Sequence, residues 1–148
     1  TEGETAELPA IMSAEEIKNL QALVRRVPIA DDMLQYAANL VRATRPDQSE
    51  APAFVRDHLL WGAGPRAGQY LVLGAKTRAV IRGRFHVSME DIQRVARPVL
   101  RHRVLTNYQA RAEGISADDI IDRLLDTVPL HPAGARDGAA EVAAPVER

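Results

Sequence analysis

Residues 62–84 read GAGPRAGQYLVLGAKTRAVIRGR, and their pattern decides the fold. Pro65 suits the first position of a helix, because the amide proton it lacks would be unpaired there, and Gly83 lies where the helix can turn out of its axis. Between them Ala67, Tyr70, Leu71, Val72, Leu73, Ala75, Ala79, Val80 and Ile81 spread around much of the helical circumference. A helix that is apolar on several sides needs cover on several sides, so it belongs at the centre of a bundle. Arg66 is the awkward residue. The first helical turn already carries unpaired amide protons and about half a unit of positive charge, so a cation there costs a few tenths of a kcal/mol. An anion close by would offset that cost.

Upstream, Ser13-Ala14-Glu15-Glu16 has the form of a capping box and precedes Ile17, Leu20, Leu23, Val24 and Val27 at helical spacing, which predicts a first helix over about 14–27. Pro28 stops it. Asp31 and Asp32 then place acids in the first turn of a second helix that carries Met33, Ala37, Leu40, Val41 and Thr44 on one face and ends near Arg45, ahead of Pro46. The stretch 46–58, PDQSEAPAFVRDH, has prolines and polar residues without a sustained period and reads as a loop with an extended stretch at Phe54 and Val55.

Downstream, Ser88 opens a helix with Ile92, Val95, Ala96, Val99 and Leu100 in register, and Pro98 predicts a break or kink within it. An irregular segment through Asn107 follows. Ser116-Ala117-Asp118-Asp119 caps a last helix with a stripe of Ile120, Ile121, Leu124, Leu125 and Val128, closed by Pro129. The expected architecture is all-α: a small helical bundle over 13–130, with a short strand or hairpin at the 54–60 and 86–88 loops. A flexible segment over 1–12 leads into it and a disordered tail over 131–148 follows, because HPAGARDGAAEVAAPVER has no apolar period.

The composition excludes several function classes. The chain has 148 residues, 46% of them apolar, which fits one domain with an ordinary core. Nineteen lysines and arginines against 20 acids leave a formal charge of -1, so no overall field points to nucleic acid or to an acidic membrane. Without cysteine there are no disulfides and no thiolate metal sites, and a reducing cytoplasm is compatible. No run approaches the roughly 20 apolar residues of a membrane span, and TEGETAELPA has none of the regions of a signal peptide. Neither a G-x-x-x-x-G-K-[ST] phosphate loop nor H-E-x-x-H occurs, and no complete catalytic constellation is present.

The chemistry-bearing residues leave two readings each. Arg66 and the open amides after Gly64 and Pro65 can grip a phosphate or carboxylate, or the arginine can be buried and tied to Asp57 or to carbonyls of the preceding loop. RVARPVLRHR, residues 94–103, can face a phosphate backbone or pair with the acids of 113–126. His58, His86, His102 and His131 are too widely spaced to hold a metal on one helix, so no metal ligands are assigned. Asp31-Asp32 and Asp118-Asp119 lie at helix starts, where capping explains them.

Four stretches taken together resemble the C-terminal helical lid of MoxR-type AAA+ ATPases: LQALVRRVPIADDMLQYAANLVRATR (20–45), GAGPRAGQYLVLGAKTRAVIRGR (62–84), HVSMEDIQRVARPVLRHRV (86–104) and GISADDIIDRLLDTVP (114–129). The resemblance implies an ATPase whose catalytic core lies N-terminal to residue 1, with ATP and Mg2+ bound mainly by that core. In this family the arginine of a G-A-S-P-R-A motif, called sensor 2, approaches the γ-phosphate as the lid closes. The matching residues are Gly62-Ala63-Gly64-Pro65-Arg66-Ala67, so the resemblance gives Arg66 the catalytic role and Gly64, Pro65 and Ala67 the nucleotide-contacting turn; Gly64 replaces the usual serine. Tyr36 is a candidate to pack beside adenine or, alternatively, a core residue. The implied partners are the protein's own AAA+ core, neighbouring subunits of a ring and client proteins with von Willebrand factor A-type domains, in the cytoplasm, without membrane or nucleic acid. The fragment alone, lacking the Walker motifs, is expected to be inactive. The other reading is a freestanding helical adaptor that binds nucleic acid or protein through the 94–103 arginines.

Overall fold

A capping box opens the first helix, α1 (Ala14–Arg26): the Ser13 amide donates to Glu16 Oε2 at 2.7 Å and the Glu16 amide donates to Ser13 Oγ at 3.2 Å. In this computed structural model, which describes residues 10–130, α1 follows the predicted bounds closely, yet none of its residues is buried. The N-terminal segment expected to be flexible lies mostly outside the described residues, and the tail expected to be disordered lies wholly outside them.

Helix α2 (Asp31–Ala43) buries Met33, Tyr36, Ala37, Leu40 and Val41 and ends at Thr44, close to the predicted stop. Helix α4 (Pro65–Ile81) is the predicted central element, with Ala67, Leu71, Ala75 and Ala79 at four-residue spacing and wholly buried. It packs against α1, α2 and α5 (Met89–Leu100). Its end is set by Gly83 at φ 67°: the Gly83 amide donates to the Val80 carbonyl at 2.9 Å and the Arg84 amide to the Ala79 carbonyl at 2.8 Å. Glycine enters this left-handed conformation without the Cβ clash that other residues meet. One side of α4 stays open, however, and there Tyr70, Leu73 and Ile81 are 48%, 41% and 77% exposed.

Three expectations need correction. The 46–58 stretch is not all loop: α3 (Ala53–His58) begins after Pro52 and buries Phe54 and Val55, which had been read as extended. Six residues are too few for a helical period to declare itself, and adjacent apolar residues fit either state. The strand near this region, β1 (Leu59–Trp61), pairs antiparallel with β2 (Leu105–Thr106), and not with 86–88, where Ser88 caps α5 and the Val87 amide reaches the Pro28 carbonyl. Helix α5 runs through Pro98 to Leu100, so the break expected there does not occur. Pro98 is exposed and only two residues from the end, so the single amide bond it removes is lost on the solvent side, where water can serve the freed carbonyl.

Helix α6 (Tyr108–Ala112), absent from the sequence reading, is capped by Asn107, whose side-chain oxygen accepts from the Ala110 amide at 3.0 Å. Helix α7 (Ala117–Thr127) starts at the predicted Ser116 capping box and turns Ile120, Ile121 and Leu124 into the common core. The fold is thus a helical bundle with one two-stranded ribbon among the described residues. Among them, no helix is long and apolar enough to cross a membrane.

A buried carboxylate ties the end of α4 to the start of α5. Asp91 is fully buried and takes Arg84 in a two-pronged pair while also accepting from the Ser88 amide at 3.0 Å. Burial alone would raise its pKa, but the Arg84 and Ser88 hydrogen bonds outweigh that effect and hold it at about 2.

Candidate functional site

The turn that starts α4 is built by backbone geometry. Gly64 is the N-cap, extended at φ -83° and ψ 175°, with no side chain to satisfy the first amides; Pro65 follows at the first helical position, and the Ala67 amide donates to the Gly64 carbonyl at 3.0 Å. No acid occupies the first turn. Arg66 projects from this electropositive end into solvent, and among the described residues no side-chain hydrogen bond or ion pair engages its guanidinium. Asp57, the partner considered for a buried arginine, is itself exposed and offers only its backbone carbonyl, to Asn107. Arg66 also begins the open side of α4: residues 66, 70, 73, 77 and 81 follow one another at helical spacing, so the cation continues into the apolar strip of Tyr70, Leu73 and Ile81.

Two hollows meet at this turn. A groove of about 630 Å3 runs between α2 and α4 over Leu34, Ala38, Val41 and Val72, and four cations, Arg25, Arg42, Arg45 and Lys76, line it without any acid. A second hollow of about 470 Å3 lies on the far side of Pro65, against Arg45, Leu60 and Trp61, which is 71% exposed. Arg45 and Pro65 line both.

The loop before the turn is fixed from α2. The buried Thr44 hydroxyl donates to the Val41 carbonyl at 2.7 Å and accepts from the Ala63 amide at 2.9 Å; Arg45 Nε donates to the Ala63 carbonyl at 3.0 Å. Gly62 is required by the same approach, because a Cβ there would stand 2.4 Å from the Thr44 carbonyl oxygen. Thr44 and Arg45 carried no functional role in the sequence reading. A Thr-Arg pair at a helix end gives no local sign of what it will touch some twenty residues later.

The remaining candidates separate from this turn. Tyr36 is wholly buried in the core, with its hydroxyl 3.4 Å from Gln93 Nε2, and has no surface to offer a ligand in this conformation. Arg97 pairs with Asp122, Arg101 with Asp118 at 2.8 Å and Arg94 with Glu90 at 3.5 Å, while Arg103 donates to the Val99 carbonyl and lies over the Tyr70 ring. The 94–103 charge is therefore largely spent within the fold. His58 is held between the Phe54 carbonyl and Glu113, His86 and His102 are exposed, and His131 lies outside the described residues. Among the described residues no three His, Cys, Asp or Glu side chains gather as a metal site would need.

With this geometry in view, the AAA lid domain family matches residues 52–124. The chain carries an AAA lid domain of MoxR type. It is 32% identical to Chaperone MoxR1 of Mycobacterium tuberculosis over 84% of this chain and 33% of that protein, and 31% identical to Protein MoxR of Methylorubrum extorquens over 80% of this chain and 36% of that protein. A solved structure of a candidate ATPase from Cytophaga hutchinsonii superposes with a TM-score of 0.70 at 37% identity, covering 77% of this chain and 34% of that one. The chain thus spans about a third of the length of the curated relatives it matches. A helical lid domain accords with the helical bundle described above.

Proposed function

We propose that this lid serves an ATPase whose nucleotide-binding core lies outside the chain, and that Arg66 reaches the γ-phosphate of ATP held by that core. The observation that carries the reading is the state of Arg66: a solvent-facing guanidinium at the open, acid-free start of α4, continuous with an uncovered apolar strip. Gly64, Pro65 and Ala67 set the turn from which it projects. The residues fit a triphosphate terminus, since a guanidinium and unpaired amides both favour an anion. In this reading Mg2+ and most of the triphosphate contacts fall to the core, and the lid contributes Arg66 and the amides of its turn.

In this reading Arg66 stabilises charge that develops as the phosphoryl group departs, and its contact makes lid position depend on whether the γ-phosphate is present. The lid then swings as a rigid body, and the motion passes to neighbouring subunits of a ring and to a client protein, including clients with von Willebrand factor A-type domains, in the cytoplasm. The test is Arg66→Ala in the full-length ATPase. Turnover should fall at unchanged lid folding, whereas equal rates in variant and parent would remove Arg66 from the mechanism.

A further inference from the structure

The residue that leads into the GPRA turn, Ala63, is held from outside α4. Both polar groups of Ala63 are taken by α2: its amide by Thr44 Oγ1 at 2.9 Å and its carbonyl by Arg45 Nε at 3.0 Å. Thr44 is itself fixed, wholly buried and donating to Val41. Gly62 adds a steric contact, because its Cα face lies against the Thr44–Arg45 backbone too closely for any Cβ. Ala63 immediately precedes the cap residue Gly64, so these contacts fix the Gly62–Ala63 and Ala63–Gly64 peptides, the last two before the chain enters Pro65 and Arg66. Gly64 contributes no side-chain bond of its own.

We infer that Thr44 and Arg45 are positioning residues for Arg66: they clamp Ala63 from both sides and so fix the direction in which the guanidinium leaves the bundle. This rests on the reading of Arg66 given above. The clamp also explains how an arginine without side-chain partners among the described residues can be aimed at all. Gly64 brings no hydroxyl to the cap, so the side-chain anchoring of this turn comes at the preceding residue, Ala63. Arg45 additionally lines the hollows on both sides of Pro65.

The experiment compares Thr44→Val, Thr44→Ser, Arg45→Lys and Arg66→Ala in the full-length ATPase, with kcat and KM for ATP and amide exchange of the segment containing Ala63. Thr44→Val keeps the shape and removes the acceptor; Arg45→Lys keeps the charge and removes Nε. Each should lower kcat by about tenfold or more with little change in KM, since misplacing a reacting group acts on the transition state. Thr44→Ser should restore the rate, and exchange at Ala63 should quicken in Thr44→Val alone of the two Thr44 variants. In the double variant Thr44→Val/Arg66→Ala the rate should equal that of Arg66→Ala, because a clamp has nothing left to aim. Normal turnover in Thr44→Val and Arg45→Lys beside a slow Arg66→Ala would overturn the clamp and leave the Arg66 reading standing, as would multiplicative losses in the double variant. A normal rate in Arg66→Ala would overturn the reading itself. If Thr44→Val fails to fold, the partly exposed Arg45→Lys decides the question by the same two measurements.

Discussion

Arg84 closes on the buried carboxylate of Asp91 with two nitrogens, at 2.6 and 2.5 Å, across the turn between α4 and α5. The Asp91 side chain is fully buried, whereas Arg84 keeps a third of its surface in water. Such a pair fixes the angle between two helices while one partner remains solvated, and removing one partner costs far more than the pair contributes.

The pair predicts acid sensitivity. The folded pKa of Asp91, about 2, lies below its ordinary value of 3.8, so its contribution is fully present above about pH 5 and is lost as the pH falls through the folded value. At neutral pH the contribution is about 2 kcal/mol. Urea unfolding from pH 7 to pH 2 should show the parent losing stability more steeply than Asp91→Asn. Parallel pH dependences would contradict the assignment.

Two glycines of the GAGPRA turn should respond in opposite ways. In Gly62→Ala the new methyl would meet the Thr44 carbonyl, so the end of α2 must shift, at a cost of about 1–3 kcal/mol. At Gly64 an added Cβ meets nothing within 4 Å, and Gly64→Ser should gain a few tenths of a kcal/mol by capping the first amides. Thermal melts of both variants check the sign, and a stable Gly62→Ala would show that the loop can draw away from the Thr44 carbonyl at little cost.

Leu71 is the largest side chain of α4 that is completely enclosed. Leu71→Ala should therefore destabilise the chain by about 2–5 kcal/mol, while Leu73→Ala, on the open side of the same helix, should cost much less. Equal losses at the two positions, measured by denaturant midpoint, would mean that the open side is covered in solution.

The chain by itself should hydrolyse no ATP. One arginine and a few amides supply little of the affinity that a complete nucleotide site has, and no phosphate loop is present in the sequence. Phosphate release above background from the purified chain would overturn this expectation.

What could be read from the residues alone was whatever is decided locally. The starts at Ser13 and Ser116, the proline entry at 65 and the left-handed exit at Gly83 all depend on neighbours a few residues away, and each lies where the spacing placed it. Helix α3 was missed because Phe54 and Val55 stand side by side in a segment too short to show a period. A strand forms at 59–61, beside the expected 54–60 loop, but none forms at 86–88, and nothing near 59–61 encodes its partner at 105–106. For the same reason the Thr44–Ala63 contact was invisible, and so was the choice between an exposed and a buried Arg66, which turns on what the rest of the bundle leaves uncovered.

Helix α1 lies along the bundle as a splint against α4, and no side chain within it is enclosed. Peeling it off would wet little surface that is not already wet, so its amides should trade their protons on a much faster clock than those of Leu71 or Ala75. Warming the chain would then loosen this splint well before the bundle itself gives way, and a probe placed at its outer end would register an earlier, shallower transition than one placed on α4.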